Sequence, residues 1–157
     1  MVDLRLPVRS LRLERIINAS VQECFDLSLS VDAHTASMGL SDERAISGVT
    51  SGTMKMGESG TWHARHFGLP FRMMSMITAF ERPTRFVDEQ TRGPFRFGWH
   101  EHTLEAQESG ATLMVDRVEF KSSLAPLGTT ADRVVLDKYM HNLLRQRNDW
   151  LKVALAG

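Results

Sequence analysis

The sequence predicts an α+β domain, an antiparallel sheet of seven strands with two short helices after the first strand and one long helix at the end. Three observations point there. Leu11, Leu13, Arg15 and Ile17 alternate with Arg12, Glu14, Ile16 and Asn18 in the period of two that marks a strand with one more apolar face. From Arg44 to Ser122, strand-like segments are punctuated by turn signals at Gly52, Gly57, Leu69-Pro70, Arg82-Pro83, Gly93-Pro94 and Ser109-Gly110. The short gaps between them suit an antiparallel meander of six strands rather than crossover units. After Gly128, Leu136, Met140, Leu143, Leu144, Leu151 and Ala154 recur at spacings of three and four, as on the apolar face of a helix.

The helices carry their own start signals. Ser20-Val21-Gln22-Glu23 is a capping box, in which the serine oxygen and the glutamate three residues on satisfy each other's backbone amides. Val21, Cys24, Phe25 and Leu29 give that helix its inward side. Ser30 before Val31-Asp32-Ala33 caps the second short helix, and Gly39 is expected to stop it. Thr129-Thr130-Ala131-Asp132 opens the long one. Seven strands curling around one long helix enclose more space than side chains easily fill, so an apolar cavity between sheet and helix is expected.

Composition sets the outer limits. A chain of 157 residues fits a single domain, 1–157, and 42% hydrophobic with 24% charged residues excludes disordered and fibrous classes. Nineteen basic residues balance nineteen acidic ones, so no net field draws the protein to nucleic acid or anionic lipid. Cys24 is the single cysteine, which excludes an internal disulfide and a thiolate metal cluster and suits the cytoplasm. No apolar run reaches the length of a membrane span and the first twenty residues lack a signal-peptide core, so neither membrane insertion nor export is expected. Asn18-Ala19-Ser20 has the glycosylation pattern, without meaning in a chain that is not exported. No GxxxxGK, GxGxxG, HExxH or GxSxG occurs, which removes most of the case for nucleotide-dependent chemistry and serine hydrolysis.

Strand parity selects the polar residues that face the cavity. With Leu69-Pro70 as a two-residue turn, His66 faces Met73, Ala64 faces Ser75 and Trp62 faces Ile77. With Arg82-Pro83 as the next, Ile77 faces Asp88 and Ser75 faces Gln90. A three-residue loop Glu108-Ser109-Gly110 sets His102 opposite Asp116, Leu104 opposite Met114 and His100 opposite Val118. The simplest Gly93-Pro94 turn puts Asp88 opposite Trp99, so a bulge is expected in that hairpin. On the last helix Arg147 falls within the apolar stripe, where a guanidinium needs a carboxylate, with Asp116, Asp88, Glu58 and Glu89 as candidates, or reaches water over a buried stem.

These residues admit several chemistries. His100-Glu101-His102 puts two imidazoles on one strand face, and a metal site with His66 and Asp88 or Asp116 is conceivable, but a buried pair in which His102 donates to Asp116 accounts for the pattern, and no metal or cofactor is expected. The same His102, oriented by Asp116 and helped by Arg147, is the candidate catalytic set if the protein is an enzyme. Trp62, Met73, Met114 and Met140 form a polarizable lining, and with His66, Asp88, Gln90 and His100 they are the candidate ligand contacts. Met54 and Met56, flanking Lys55, read as exposed apolar groups at an entrance or a partner surface, while Tyr139 and Asn148 read as structural.

The blocks GESGTWHARHFG (57–68), ITAFERPTRFVDEQTRGPF (77–95), HEHTLE (100–105), DRVEF (116–120) and LLRQRN (143–148) together resemble bacterial ligand-binding SRPBCC proteins. That is the START-related, birch-pollen-allergen-like superfamily, often labelled polyketide cyclase/dehydrase. The resemblance spans nearly the whole chain and implies a helix-grip fold, a curved seven-stranded sheet around a C-terminal helix with a cavity for a hydrophobic ligand. The loop from Ser51 to Gly57 lacks the glycine-rich pattern of the plant allergens, and no catalytic set of the cyclases maps onto this chain. The favoured expectation is a monomeric or homodimeric binder of a small hydrophobic or amphipathic molecule. The alternatives are a cyclase, dehydratase or isomerase using His102 and Asp116, and a protein-interaction module with Met54, Met56 and Phe71 at its surface.

Overall fold

The computed structural model describes residues 8–122 and 130–156. Strand β1 (Arg9–Ile17) leads into α1 (Val21–Ser28) and α2 (Val31–Ser37). Six strands follow: β2 (Arg44–Gly48), β3 (Ser59–His66), β4 (Leu69–Glu81), β5 (Arg85–Arg92), β6 (Phe95–Ala106) and β7 (Thr112–Ser122). Helix α3 (Thr130–Leu155) ends the chain. Every strand pair is antiparallel and the spatial order is β1-β7-β6-β5-β4-β3-β2, so the meander closes when β1 joins β7. The α+β architecture expected from the sequence is the one found, with one curved open sheet around the last helix.

The short helices start where their signals place them. Glu23 N donates to Ser20 Oγ at 3.2 Å and Ser20 N donates to Glu23 Oε2 at 3.0 Å, while Ala33 N donates to Ser30 Oγ at 3.1 Å. Helix α2 ends at Ser37 with Met38 as its C-cap, next to Gly39, where it was expected to stop, and Gly39 opens a short 3-10 turn. Thr129, expected at the start of α3, lies outside the described residues.

One turn expected from the sequence is misplaced. Phe67 and Gly68 form the β3–β4 turn, both with positive φ (54° and 74°), so His66 pairs with Leu69, Ala64 with Phe71 and Trp62 with Met73. Leu69 and Pro70 instead belong to β4. A proline is tolerated there because the β4–β5 pairing begins only at Met74, leaving the Pro70 nitrogen with no ladder partner to supply. Relative to the expected register each partner moves by four positions, an even number, so every residue keeps its face.

The other registers agree with parity. Ile77 pairs with Asp88 and Ser75 with Gln90, through a three-residue loop whose extra residue is compensated by a bulge between Ile77 and Ala79. His102 pairs with Asp116, Leu104 with Met114 and His100 with Val118. Asp88 pairs with His100 rather than Trp99, as the expected irregularity requires, and the β6–β7 ladder shifts between Phe95 and Phe97.

The core lies between the sheet and the helices. Phe25 of α1 meets Phe80 and Phe86 edge-on, with ring centroids 5.4 and 5.6 Å away, and Ile17, Leu104, Met114 and Leu151 complete that half. Leu13, Val118, Phe120 and Leu144 form a second cluster against α3. Between these clusters and the β3–β4 hairpin the interior is not filled.

Candidate functional site

That unfilled space is a cavity of about 270 Å³, bounded by the sheet, α2 and α3. Trp62, Ala64, Met73, Ile77 and Phe86 supply apolar surface from the sheet, and Leu136, Met140 and Leu143 from α3. The expected contacts Trp62, His66, Met73, Asp88, His100 and Met140 all line it, as do His102 and Arg147. Gln90 and Met114 are not among the lining residues. The Gln90 amide is occupied as a surrogate ladder rung, its Nε2 donating to Phe95 O at 2.6 Å. Met114, wholly buried, packs beneath α1 with Ser28 Oγ 3.6 Å from its sulfur. Parity fixes the face of a strand on which a residue lies but not its height, and at the height of Met114 that face is already covered.

The polar wall centres on Asp116, which has no exposed surface and stands behind the cavity. Asn148 Nδ2 donates to its Oδ2 at 2.6 Å, and Arg147 Nη1, 3.4 Å from Oδ1, also donates to Asn148 Oδ1 at 3.1 Å. Asp116 is therefore the carboxylate that Arg147 needs. His100 Nε2 lies 2.8 Å from Asp116 Oδ1, and His102 Nδ1 lies 2.9 Å from the same oxygen but out of line for a hydrogen bond. His102 Nε2 reaches Asp88 Oδ2 at 3.3 Å. The two imidazoles stack at 3.8 Å between ring centroids, and Phe86 stacks on the other side of His102 at 4.1 Å.

Electrostatics follow from this packing. Burial opposes the charged form of Asp116, but the His100 hydrogen bond, the adjoining His102 imidazole and the Arg147 charge outweigh it and hold the carboxyl well below its usual range. For Asp88, the same opposition from burial is overcome by the His102 hydrogen bond and the nearby histidines, which place it at about 2. Burial and the neighbouring His102 push His100 down, against the pull of the two carboxylates, so it favours the neutral imidazole.

A second polar group occupies the opposite side. His34 Nε2 sits 2.6 Å from Glu43 Oε1, with its ring 4.6 Å from that of Trp62, and His66 Nδ1 sits 2.5 Å from Tyr139 Oη. Burial lowers His66 and raises Tyr139. Tyr139 and Asn148, expected to be structural, both belong to the site, Tyr139 as lining and Asn148 as the anchor of Asp116. Tyr139 was within reach of sequence reasoning, lying three residues after Leu136 and four before Leu143. Glu43 was not, since a buried acid beside a short strand leaves no periodic trace. Met54 and Phe71 also face the cavity, and Met54 is buried, against the expectation of an exposed entrance or partner surface; Met56 is exposed.

The arrangement of sheet, helices and internal space is shared with solved structures. Protein TTHA0849 from Thermus thermophilus superposes with a TM-score of 0.78 at 15% identity, over 94% of this chain and 97% of that one. The Zhui aromatase/cyclase from a Streptomyces species gives 0.77 at 11% identity, over 96% and 94%. A START superfamily protein from Mycobacterium smegmatis gives 0.72 at 9% identity, over 94% and 97%. The chain has the helix-grip fold. At these identities the likeness is one of fold, in agreement with the SRPBCC resemblance of the sequence blocks. No protein-family model matches the chain, and no curated protein matches it in sequence. Among the described residues no helix is long and apolar enough to cross a membrane.

Proposed function

We propose that this protein binds a small hydrophobic or amphipathic molecule between the sheet and α3. The observation that carries this reading is the cavity itself, about 270 Å³ with a mainly apolar lining and a few polar side chains gathered at its walls. Ligand pockets generally run from about 300 to 1,000 Å³, so the volume suits a compact ligand of one or two rings. Trp62, Met73 and Met140 supply apolar contact, and His66, Asp88 and His100 orient the polar end. Burying roughly 300 Å² of apolar ligand surface is worth about 7.5 kcal/mol before ordering costs, which corresponds to micromolar binding or weaker.

The test is titration with the neutral two-ring fluorophore 6-propionyl-2-(dimethylamino)naphthalene, with EDTA present throughout. One-to-one saturable binding is expected, weakened at least tenfold by Ala64→Trp and by Met73→Trp, each of which pushes an indole into the space. Failure of the folded protein to bind the dye, or binding indifferent to both fillers, overturns the reading. Native mass spectrometry of freshly purified protein gives a second readout, in which a bound small organic molecule is expected.

A further inference from the structure

We infer that Asp88, His100 and His102 form a site for one divalent transition-metal ion, of the Zn2+ or Fe2+ kind, on the sheet wall of the cavity. The topology assembles the donors. His100 and His102 are two residues apart on β6 and so share a face, and Asp88 stands directly opposite His100 on β5. One potential ligand atom from each of the three lies within 4.8 Å of the others. Bonds of about 2.1 Å hold tetrahedral ligands about 3.4 Å apart, so closure on an ion needs movements of an ångström or so.

The donor set selects the class of ion. Two imidazole nitrogens and one carboxylate suit borderline first-row ions and leave coordination positions open to the cavity, whereas Ca2+ and Mg2+ favour all-oxygen sites. The surroundings match what such a site needs. Metal-bound histidines commonly turn their other nitrogen to a carboxylate that fixes the ring. Asp116 lies within 2.9 Å of one nitrogen of each imidazole and is itself anchored by Asn148 and Arg147.

Two further features are left over when the cluster is read as a simple ion pair. A His102–Asp116 pair needs one imidazole, yet two are stacked face to face at the same wall. His102 Nδ1 is buried with no aligned hydrogen bond, and a small rotation of the tautomer protonated there lets Nδ1–H donate to Asp116 and leaves the Nε2 lone pair for a metal. The charges also favour a cation, since Asp88 and Asp116 bring two negative charges against one positive charge on Arg147. The metal assignment rests on the side-chain cluster and not on the ligand, so the dye titration in EDTA can succeed or fail without bearing on it.

The experiment is titration of the EDTA-treated, desalted full chain with Co2+, read by visible d–d absorption, and with Zn2+ in competition with a chromophoric chelator. One equivalent is expected to bind. Asp88→Asn and His100→Gln should each weaken binding at least a hundredfold, Asp116→Asn about ten- to a hundredfold, and His66→Gln by less than twofold. Because variants of the buried groups can fail to fold, imidazole NMR of the unaltered protein provides a second arm, in which Zn2+ should shift the His100 and His102 resonances first. Absence of stoichiometric binding, binding unchanged by Asp88→Asn, or shifts confined to His34, His63, His66 or His141 overturns the assignment.

Discussion

Replacing Asp116 by alanine should be among the most damaging single changes in this protein. The side chain has no exposed surface, and its loss strands the Arg147 guanidinium, itself only 5% exposed, together with the Asn148 amide and His100. Breaking a buried pair from one side costs about 3–5 kcal/mol, because the remaining charge stays in a poorly solvating interior. The orphaned amide adds to this, though not additively, since all four groups share one network. For a domain of this size about 3–5 kcal/mol corresponds to a fall in Tm of about 6–20 °C. Urea unfolding of metal-free protein near pH 7 measures the loss. Asp116→Leu combined with Arg147→Met should recover at least half of it, since two apolar side chains leave no buried charge to satisfy. The acid limb gives a separate check. The folded Asp116 carboxyl stays ionised further into acid than in the unfolded chain, so its stabilisation is complete above about pH 4 and is lost as pH falls below the unfolded value. Asp116→Asn should lack that portion of the acid-induced loss. A cost below about 1 kcal/mol for Asp116→Ala, or a double variant no better than the single one, refutes the reasoning.

Met114→Ala removes a wholly buried side chain and should cost about 2–5 kcal/mol by urea unfolding. Dye affinity should change less than twofold, since Met114 is not a lining residue, and selective loss of dye binding in a protein of unchanged stability would show that it is one. His66→Gln should flatten the decline in stability as pH falls below about 6.5. Burial holds the folded His66 below its unfolded value, so the unfolded state takes up the proton first and stability falls as pH drops through that range. Parallel pH profiles for the two proteins would contradict this.

Most of the fold was legible because antiparallel hairpins convert local signals into long-range ones. Ser20 and Glu23 start α1, Gly110 sets the β6–β7 turn at positive φ, and that turn alone fixes His102 opposite Asp116. The β3–β4 turn was misread because Leu69-Pro70 is a strong turn signal and Phe67 is a poor one. A bulky residue at positive φ is held there by its surroundings, and its ring lies 4.4 Å from that of Tyr139, a contact invisible until α3 is in place. The site was legible in its sheet half, where parity applies. On α3 the helical period brings Met140 and Arg147 to the cavity side together with Tyr139, whereas α2 and the segment after it pack across the sheet at angles no pairing rule dictates, and so His34 and Glu43 leave no trace in the sequence pattern.

The polar wall is hard to account for as a device for stability. A well-packed apolar replacement for a buried ion pair is often as stable as the pair or more so, and the remaining core of this protein is packed in that way around Phe25, Phe86 and Leu151. Asn148, Arg147, Asp116, His100, His102 and Asp88 instead run as one connected chain from α3 through the sheet to the lumen. Its buried end is fixed by hydrogen bonds from Asn148 and Arg147, while at its open end Asp88 keeps about a third of its side chain exposed. A chain built only to satisfy its own members would close on itself. This one ends on a carboxylate and an imidazole facing an apolar space, the position from which they can hold something the protein does not itself supply.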